Sequence, residues 1–297
     1  MKGVATVWQN PLVPDVLFRK VNNMKAKRAR RLLMALAAIA ALSASPVAAQ
    51  GALDANYQLS IAGLPVGTGA WKIDFADDSY AMAVTGKVSG LLQAISTGDG
   101  TAAIRGGIAG SRLSPQSYML NVRTRKKADV VQMALANGAV RQIAIEPPPE
   151  PKAGIVPLTE AHKRGVIDPI SAAVVPRGNG DGASPDACQR TIPVFDGRQR
   201  YDLTMSYKRT EKVRTAGFEG NAVVCRVLYN PIGGYEPQKS GTKFLKETKD
   251  IEMAFVPVPG TRFLAMYRIQ IPTFFGVAVL EPTRFQVSAK TARPVGQ

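Results

Sequence analysis

The sequence predicts a mainly β fold, an antiparallel barrel or strongly curved sheet of about ten or more strands with two short helices. Apolar residues recur at every second position through most of the chain beyond residue 50. Turn segments rich in Gly, Asn and Asp separate these runs. No part of that region sustains a long apolar repeat of helical period.

The elements follow in order. "YQLSIAG" sets Tyr57, Leu59 and Ile61 on one face against Gln58 and Ser60. "AWKIDFADD" does the same with Trp71, Ile73 and Phe75 against Lys72 and Asp74, and "SYAMAVTG" places Tyr80, Met82 and Val84 opposite small residues. Such alternation marks half-buried antiparallel strands. "SGLLQAIST" reads as a first short helix, closed by Gly98. In "SYMLNVRTRKK", Tyr118, Leu120 and Val122 oppose Asn121, Arg123, Arg125 and Lys127. "DVVQMALANGAVRQIAIEP" reads as a hairpin, because Asn137-Gly138 suits a type I′ turn. "EPPPEPKAGIVP" is an extended proline-rich connection. "GVIDPISAAVV" reads as the second helix, with Asp168 as its cap and Pro169 at the first helical position. "PRGNGDGASPDAC" is a loop. "NAVVCRVLY", "KDIEMAFVPV", "RFLAMYRIQIP" and "FGVAVLEPTRFQVS" supply the remaining strands, all rich in Val, Ile, Phe and Tyr.

The start of the chain carries an address rather than a fold. From Met24, the basic residues Lys25, Lys27, Arg28, Arg30 and Arg31 precede an apolar run from Leu32 to Leu42. Small residues Val47 and Ala49 then stand at cleavage-site positions. This is the pattern of a secretory signal peptide over residues 24–49. Residues 1–23 read as an over-extended start, and residues 50–297 as a single β-rich exported domain. The apolar run is too short for a bilayer anchor, so no transmembrane segment is expected in the mature chain. Export predicts a soluble periplasmic protein. Residues 1–49 hold eight of the 38 Lys and Arg and one of the 22 Asp and Glu, so the exported part carries +9 rather than +16. The two cysteines, Cys188 and Cys225, both lie in that part, and an oxidising compartment predicts one structural disulfide between them.

Motifs for chemistry are scarce. The one histidine, His162, sits in the polar segment "TEAHKRG" and reads as a solvated loop side chain. No metalloprotease, nucleophile-elbow, phosphate-loop or dinucleotide fingerprint occurs. Ser240 and Lys243 match S-x-x-K spacing, but in what reads as a Lys-rich loop without partner motifs. "GNGDG" at Gly178–Gly182 lacks the flanks of a phosphate or calcium loop. The chain is therefore expected to be no enzyme and to hold no cofactor or metal. Arg123, Arg125, Lys126 and Lys127 form one basic cluster, Lys208, Arg209, Lys212 and Arg214 a second, and Lys239, Lys243, Lys246 and Lys249 a third. Export argues against nucleic acid as their partner. The alternatives are an anionic envelope surface or a merely solvated basic face.

"CQRTIPVFDGRQRYDL", Cys188 to Leu203, is the densest polar stretch. Asp196-Gly197 reads as a tight turn. Beyond it Tyr201, Leu203, Met205 and Tyr207 alternate with Arg200, Asp202, Thr204 and Ser206. Ion pairs with Arg198 or Arg200 are expected to keep Asp196 and Asp202 charged, the wrong state for a general acid. The stretch reads as a turn leading into a core strand.

"YQLSIAGLPVGTGAWKI", "VIDPISAAV", "VFDGRQRYDL" and "IEMAFVPVPGTRFLAMYRIQIPTFFGVAVLE" together resemble an exported bacterial family, domain of unknown function 3108, and its alphaproteobacterial branch most closely. The resemblance runs from about Tyr57 to Phe285. It implies a periplasmic β-rich domain and supplies neither an activity nor catalytic residues. Beside it, a curved sheet with an apolar interior suits a non-enzymatic binder or carrier of a hydrophobic or amphipathic ligand such as a lipid. Trp71, Met82, Tyr118, Met205, Tyr207, Met253, Phe255 and Tyr267 are the candidate pocket lining. The alternative is an envelope scaffold or interaction protein using its basic face or a sheet edge.

Overall fold

The computed structural model describes residues 50–90, 97–125, 127–150, 152–178 and 182–289. The expected signal peptide, and residues 91–96 at the heart of the first expected helix, lie outside them. The described chain contains β1 (Gly51–Ile61), β2 (Leu64–Phe75), β3 (Ser79–Val88), β4 (Gly98–Ala109), β5 (Arg112–Thr124), β6 (Ala128–Ala136) and β7 (Ala139–Glu146). After a long connection come β8 (Val174–Pro176), β9 (Arg190–Phe195), β10 (Arg200–Thr215) and β11 (Phe218–Gly233). The helix α1 (Ser240–Glu247), β12 (Ile251–Pro257), β13 (Phe263–Thr273) and β14 (Gly276–Ala289) complete it.

All fourteen strands join one antiparallel sheet in the order β7-β6-β5-β4-β3-β2-β1-β14-β13-β12-β11-β10-β9, with β8 added on β13. Tight turns set this meander. Asn137 and Gly138 both have positive φ, 53° and 68°, as the β6–β7 hairpin requires, and Ala62 and Gly63 do the same for β1–β2. Because neighbours are antiparallel, the β1–β2, β3–β4, β5–β6, β9–β10, β11–β12 and β13–β14 connections gather at one end of the sheet.

The sheet curls on itself without closing. Phe75 on β2 stacks on Phe263 of β13, ring centroids 5.3 Å apart, although two strands separate β2 from β13. The β9–β10 turn meets β6 from the other end of the path: a Cβ on Gly197 would lie 2.5 Å from a Val131 methyl. Segment 164–168 runs between the two terminal strands. Val166 N–H donates to the Gly138 carbonyl (2.9 Å), Ile167 N–H to Pro193 (2.9 Å), and Ile167 C=O accepts from Phe195 N–H (3.0 Å). These bonds satisfy backbone groups that an open edge would otherwise expose.

Burial falls in two clusters. The inner one, from Leu53, Ile73 and Phe75 round to Val256 and Phe285, fills the concave face. The outer one packs Val223, Cys225, Met253 and Phe255 beneath Val175, Ala187 and Cys188. β11 and β12 are thus covered on both faces, which is why "NAVVC" and "MAFV" are almost continuously apolar. The Cys188–Cys225 disulfide, Cα atoms 5.3 Å apart, fastens the outer cover to β11.

The helices differ from expectation. The segment "GVIDPISAAVV" forms a single 3-10 turn, Ser171–Ala173, and passes directly into β8. Val174 and Val175 are β-branched and gain ladder partners on β13, so extension wins over helix there. The α-helix lies instead over Ser240–Glu247, where Gly241 and the lysines suggested a loop. Lysine is a good helix former, and Leu245 anchors the helix on the outer cluster. No described helix is long and apolar enough to cross a membrane.

Candidate functional site

The inward faces of β2, β3 and β4 change character along their length. On β2, Trp71, Ile73 and Phe75 are buried, and the same parity carries Gly69 and Gly67. On β3, Tyr80, Met82 and Val84 give way to Gly86. On β4, Ile104 and Ala102 give way to Gly100 and Gly98. The register aligns these positions: Gly69 pairs with Gly86, and Gly86 with Gly100. Three adjacent strands therefore present no side chain where the concave face nears its hairpin end.

A cavity of about 490 Å³ occupies that space. Leu59, Trp71, Val84, Val122, Met266 and Leu280 form most of its wall. Tyr57 also lines it, and its hydroxyl already donates to the Met266 carbonyl at 2.8 Å. Lys87, Asp99 and Thr124 border it where the strands approach their turns.

Steric need does not explain all the glycines. At Gly69 an added Cβ would fall 2.8 Å from the Thr85 carbonyl oxygen, so glycine is required there. At Gly86 and Gly100 the nearest atoms to an added Cβ lie 3.9 Å and 3.5 Å away, ordinary contact distances, and neither residue has positive φ. Glycine weakens a strand interior. At these two positions it keeps volume empty.

A buried polar knot sets one side of the cavity. Ile170 and Ala173 line it from the 3-10 turn. Asp168, wholly buried, heads that turn: its Oδ1 accepts the N–H groups of Ile170 (3.0 Å) and Ser171 (2.8 Å). Ser171 Oγ in turn meets the Tyr80 hydroxyl of β3 at 2.9 Å. Burial pushes the Asp168 carboxyl up from the usual range, and the hydrogen bonds of Ser171 and Ile170 oppose the shift. Burial likewise raises the Tyr80, Tyr118 and Tyr201 hydroxyls, and the Asp168 carboxylate adds to each.

Asp196 departs from the ion-paired state expected of it. Its Oδ1 accepts the backbone N–H groups of Arg198 (2.8 Å) and Gln199 (2.6 Å), closing the turn at Gly197, φ 98°. The Arg198 guanidinium reaches Asp129 on β6 instead (3.1 Å), and Arg200 pairs with Asp202 (2.7 Å). Burial raises the Asp196 carboxyl, opposed by the two backbone N–H groups and by the Arg198 charge. A tight turn points two N–H groups at its first side chain, and they outcompete a flexible arginine.

The candidate lining residues scatter. Trp71 faces the cavity. Met82, Tyr118 and Tyr267 are packed in the inner core, while Met205, Met253 and Phe255 belong to the outer cluster. Tyr207 is 40% exposed, its hydroxyl 3.2 Å from Thr210 Oγ1. Apolar alternation shows which face is buried, but not where the interior is left unfilled. That signal resides in the aligned glycines, and it needs the strand register to be read.

Other polar features have structural partners. His162 is only half-buried, yet its Nδ1 accepts the Thr159 N–H (3.2 Å) and its ring packs on Gly233. Ser240 and Lys243 stand on the first turn of α1, both exposed. Lys208 and Arg209 bind Glu252, Arg209 and Arg268 bind Glu211, and Arg214 binds Glu219, so the second basic cluster is largely neutralised. Among the described residues no group of three or more His, Cys, Asp or Glu side chains is placed to hold a metal ion.

No curated protein matches the chain. Among solved structures, a beta-barrel-like protein of domain of unknown function DUF1849 from Brucella abortus is similar at 10% identity and a TM-score of 0.48. The match covers 80% of this chain and 98% of that one. The family model for a protein of unknown function, DUF3108, matches residues 56–283, and the chain belongs to that family.

Proposed function

We propose that the protein binds and carries a hydrophobic or amphipathic ligand, such as a lipid, in the glycine-lined cavity, and does so without catalysis in the periplasm. One observation carries the reading: Gly86 and Gly100 leave space that neither backbone conformation nor close contact demands. A volume of about 490 Å³ falls within the ~300–1,000 Å³ of small-molecule sites. Its wall is apolar, and Lys87, Asp99 and Thr124 at its border suit a polar head group. The basic stretch and apolar run after Met24, with the disulfide, support export to an oxidising compartment. Asp168 and Asp196 already engage backbone N–H groups, which leaves them holding turns rather than poised over a substrate.

Native mass spectrometry of protein purified from its own cells tests this, before and after organic extraction. The expected result is an added mass that extraction removes and that a matching lipid restores. An unliganded protein that takes up none of a panel of fatty acids and phospholipids would refute it.

A further inference from the structure

The end of the sheet that holds the cavity also carries an exposed apolar tip. The β13–β14 hairpin presents Phe274 and Phe275, 62% and 82% exposed. The turn is built to hold them out: Thr273 Oγ1 donates to the Gly276 carbonyl (2.6 Å) and accepts the Phe275 N–H (3.2 Å). The β1–β2 hairpin lies alongside, its Ala62 N–H donating to the Val277 carbonyl (3.0 Å), and it adds exposed Leu64. α1 abuts the same tip, with the Phe244 ring 4.5 Å from that of Phe274.

Positive charge surrounds this tip. α1 and the residues beside it carry Lys239, Lys243, Lys246 and Lys249 against Glu247 and Asp250. Among the described residues Lys243, Lys246 and Lys249 make no ion pair, unlike Lys208 and Arg209 of the second cluster. The β5–β6 turn brings Arg125 and Lys127 to the same end of the sheet.

We propose that this end docks on an anionic lipid bilayer, with Phe274 and Phe275 entering the boundary between head groups and acyl chains. The unpaired lysines then lie among the anionic head groups. Aromatic side chains favour that boundary, and each lysine near an anionic surface adds to the attraction. Charge complementarity selects this occupant: a second copy docked tip to tip would bring the same lysines together. The proposal goes beyond the carrier reading and stands without it, since the tip binds whether or not the cavity is filled.

The test is co-sedimentation of the purified protein with mixed phosphatidylcholine–phosphatidylglycerol vesicles and with pure phosphatidylcholine vesicles. The expected result is binding to the mixed vesicles that high salt weakens, with much less on pure phosphatidylcholine. Phe275→Ser, at the most exposed tip position, and the double variant Lys243→Glu/Lys246→Glu should each bind about tenfold more weakly or worse. Their thermal unfolding and fatty-acid binding in the absence of vesicles should stay unchanged, which separates this claim from the carrier reading. No binding to the mixed vesicles, or equal binding by the variants, overturns the proposal. So does a dimer by sedimentation velocity that Phe275→Ser abolishes while vesicle binding is absent, which would assign the tip to a second copy.

Discussion

Gly69 on β2 stands directly opposite Gly86 on β3, yet the two glycines exist for different reasons. Gly69 lies under the Thr85 carbonyl, where a Cβ would sit at 2.8 Å, whereas Gly86 has no neighbour nearer than 3.9 Å. Gly86→Ala is therefore expected to raise stability by about 0.5–1 kcal/mol, through lower chain entropy in the unfolded state. Gly69→Ala is expected to lower it by about 1–3 kcal/mol, because backbone must move. Urea unfolding of both variants checks the pair. Equal effects would mean that the two positions are under the same constraint.

Ligand length offers a second check. In an apolar cavity each additional buried methylene contributes about 0.8 kcal/mol, close to fourfold in affinity. Affinity for a series of straight-chain fatty acids should rise in such steps and then level off once the chain fills the volume. A flat series, measured by displacement of a fluorescent fatty acid, would place binding on the surface.

Asp168 gives a pH signature. Its folded-state carboxyl is raised by burial, so its contribution to stability is full below its unfolded value, about 3.9, and is lost as pH climbs through the folded value. The charged and titratable groups it influences are Tyr80, Tyr118 and Tyr201, all of which stay protonated in this range. Asp168→Asn keeps an oxygen for the two N–H groups and removes the charge. Its stability relative to the parent should improve steadily from pH 4 towards neutrality, in the sense that ~3.9 lies below the whole window. Asp168→Ala strands both N–H groups and should cost about 2–4 kcal/mol at any pH. Thermal melts across pH read both, and parallel curves for Asp168→Asn and the parent would contradict the assignment.

The two ends of the strand order meet through Gly197 and the Arg198–Asp129 pair. That pair is more than a third exposed on both sides, so Asp129→Asn should cost less than about 1 kcal/mol. Gly197→Ala meets both a positive φ and a methyl of Val131 at 2.5 Å, and should cost about 2–4 kcal/mol. Chemical denaturation of the two variants orders them. If Asp129→Asn proved the more damaging, charge rather than packing would hold this seam.

Much of the fold was legible because a strand writes its burial at every second residue. Tyr57 to Phe75 and Asn137-Gly138 are direct cases, where pattern and turn chemistry act locally. Asp168 was legible as a capping residue, but the helix it was expected to start was not there. Val174 and Val175 are claimed by β13, a partner ninety residues away in sequence by rough reckoning, and no local propensity contains that information. The helix α1 was missed for the converse reason, since Leu245 is held by a distant cluster. The cavity was least legible. Gly69, Gly86 and Gly100 look like ordinary turn or bulge residues in isolation, and only their alignment across three strands makes a void.

The central claim is that this void exists to be occupied. Isothermal titration of a fatty acid into the parent protein and into Gly86→Leu/Gly100→Leu tests it most directly, with circular dichroism confirming that both are folded. Filling the aligned positions is predicted to leave the fold intact and to weaken binding by about a hundredfold or more, the loss expected when several methylenes lose their site. A folded double variant that binds as tightly as the parent would contradict the account.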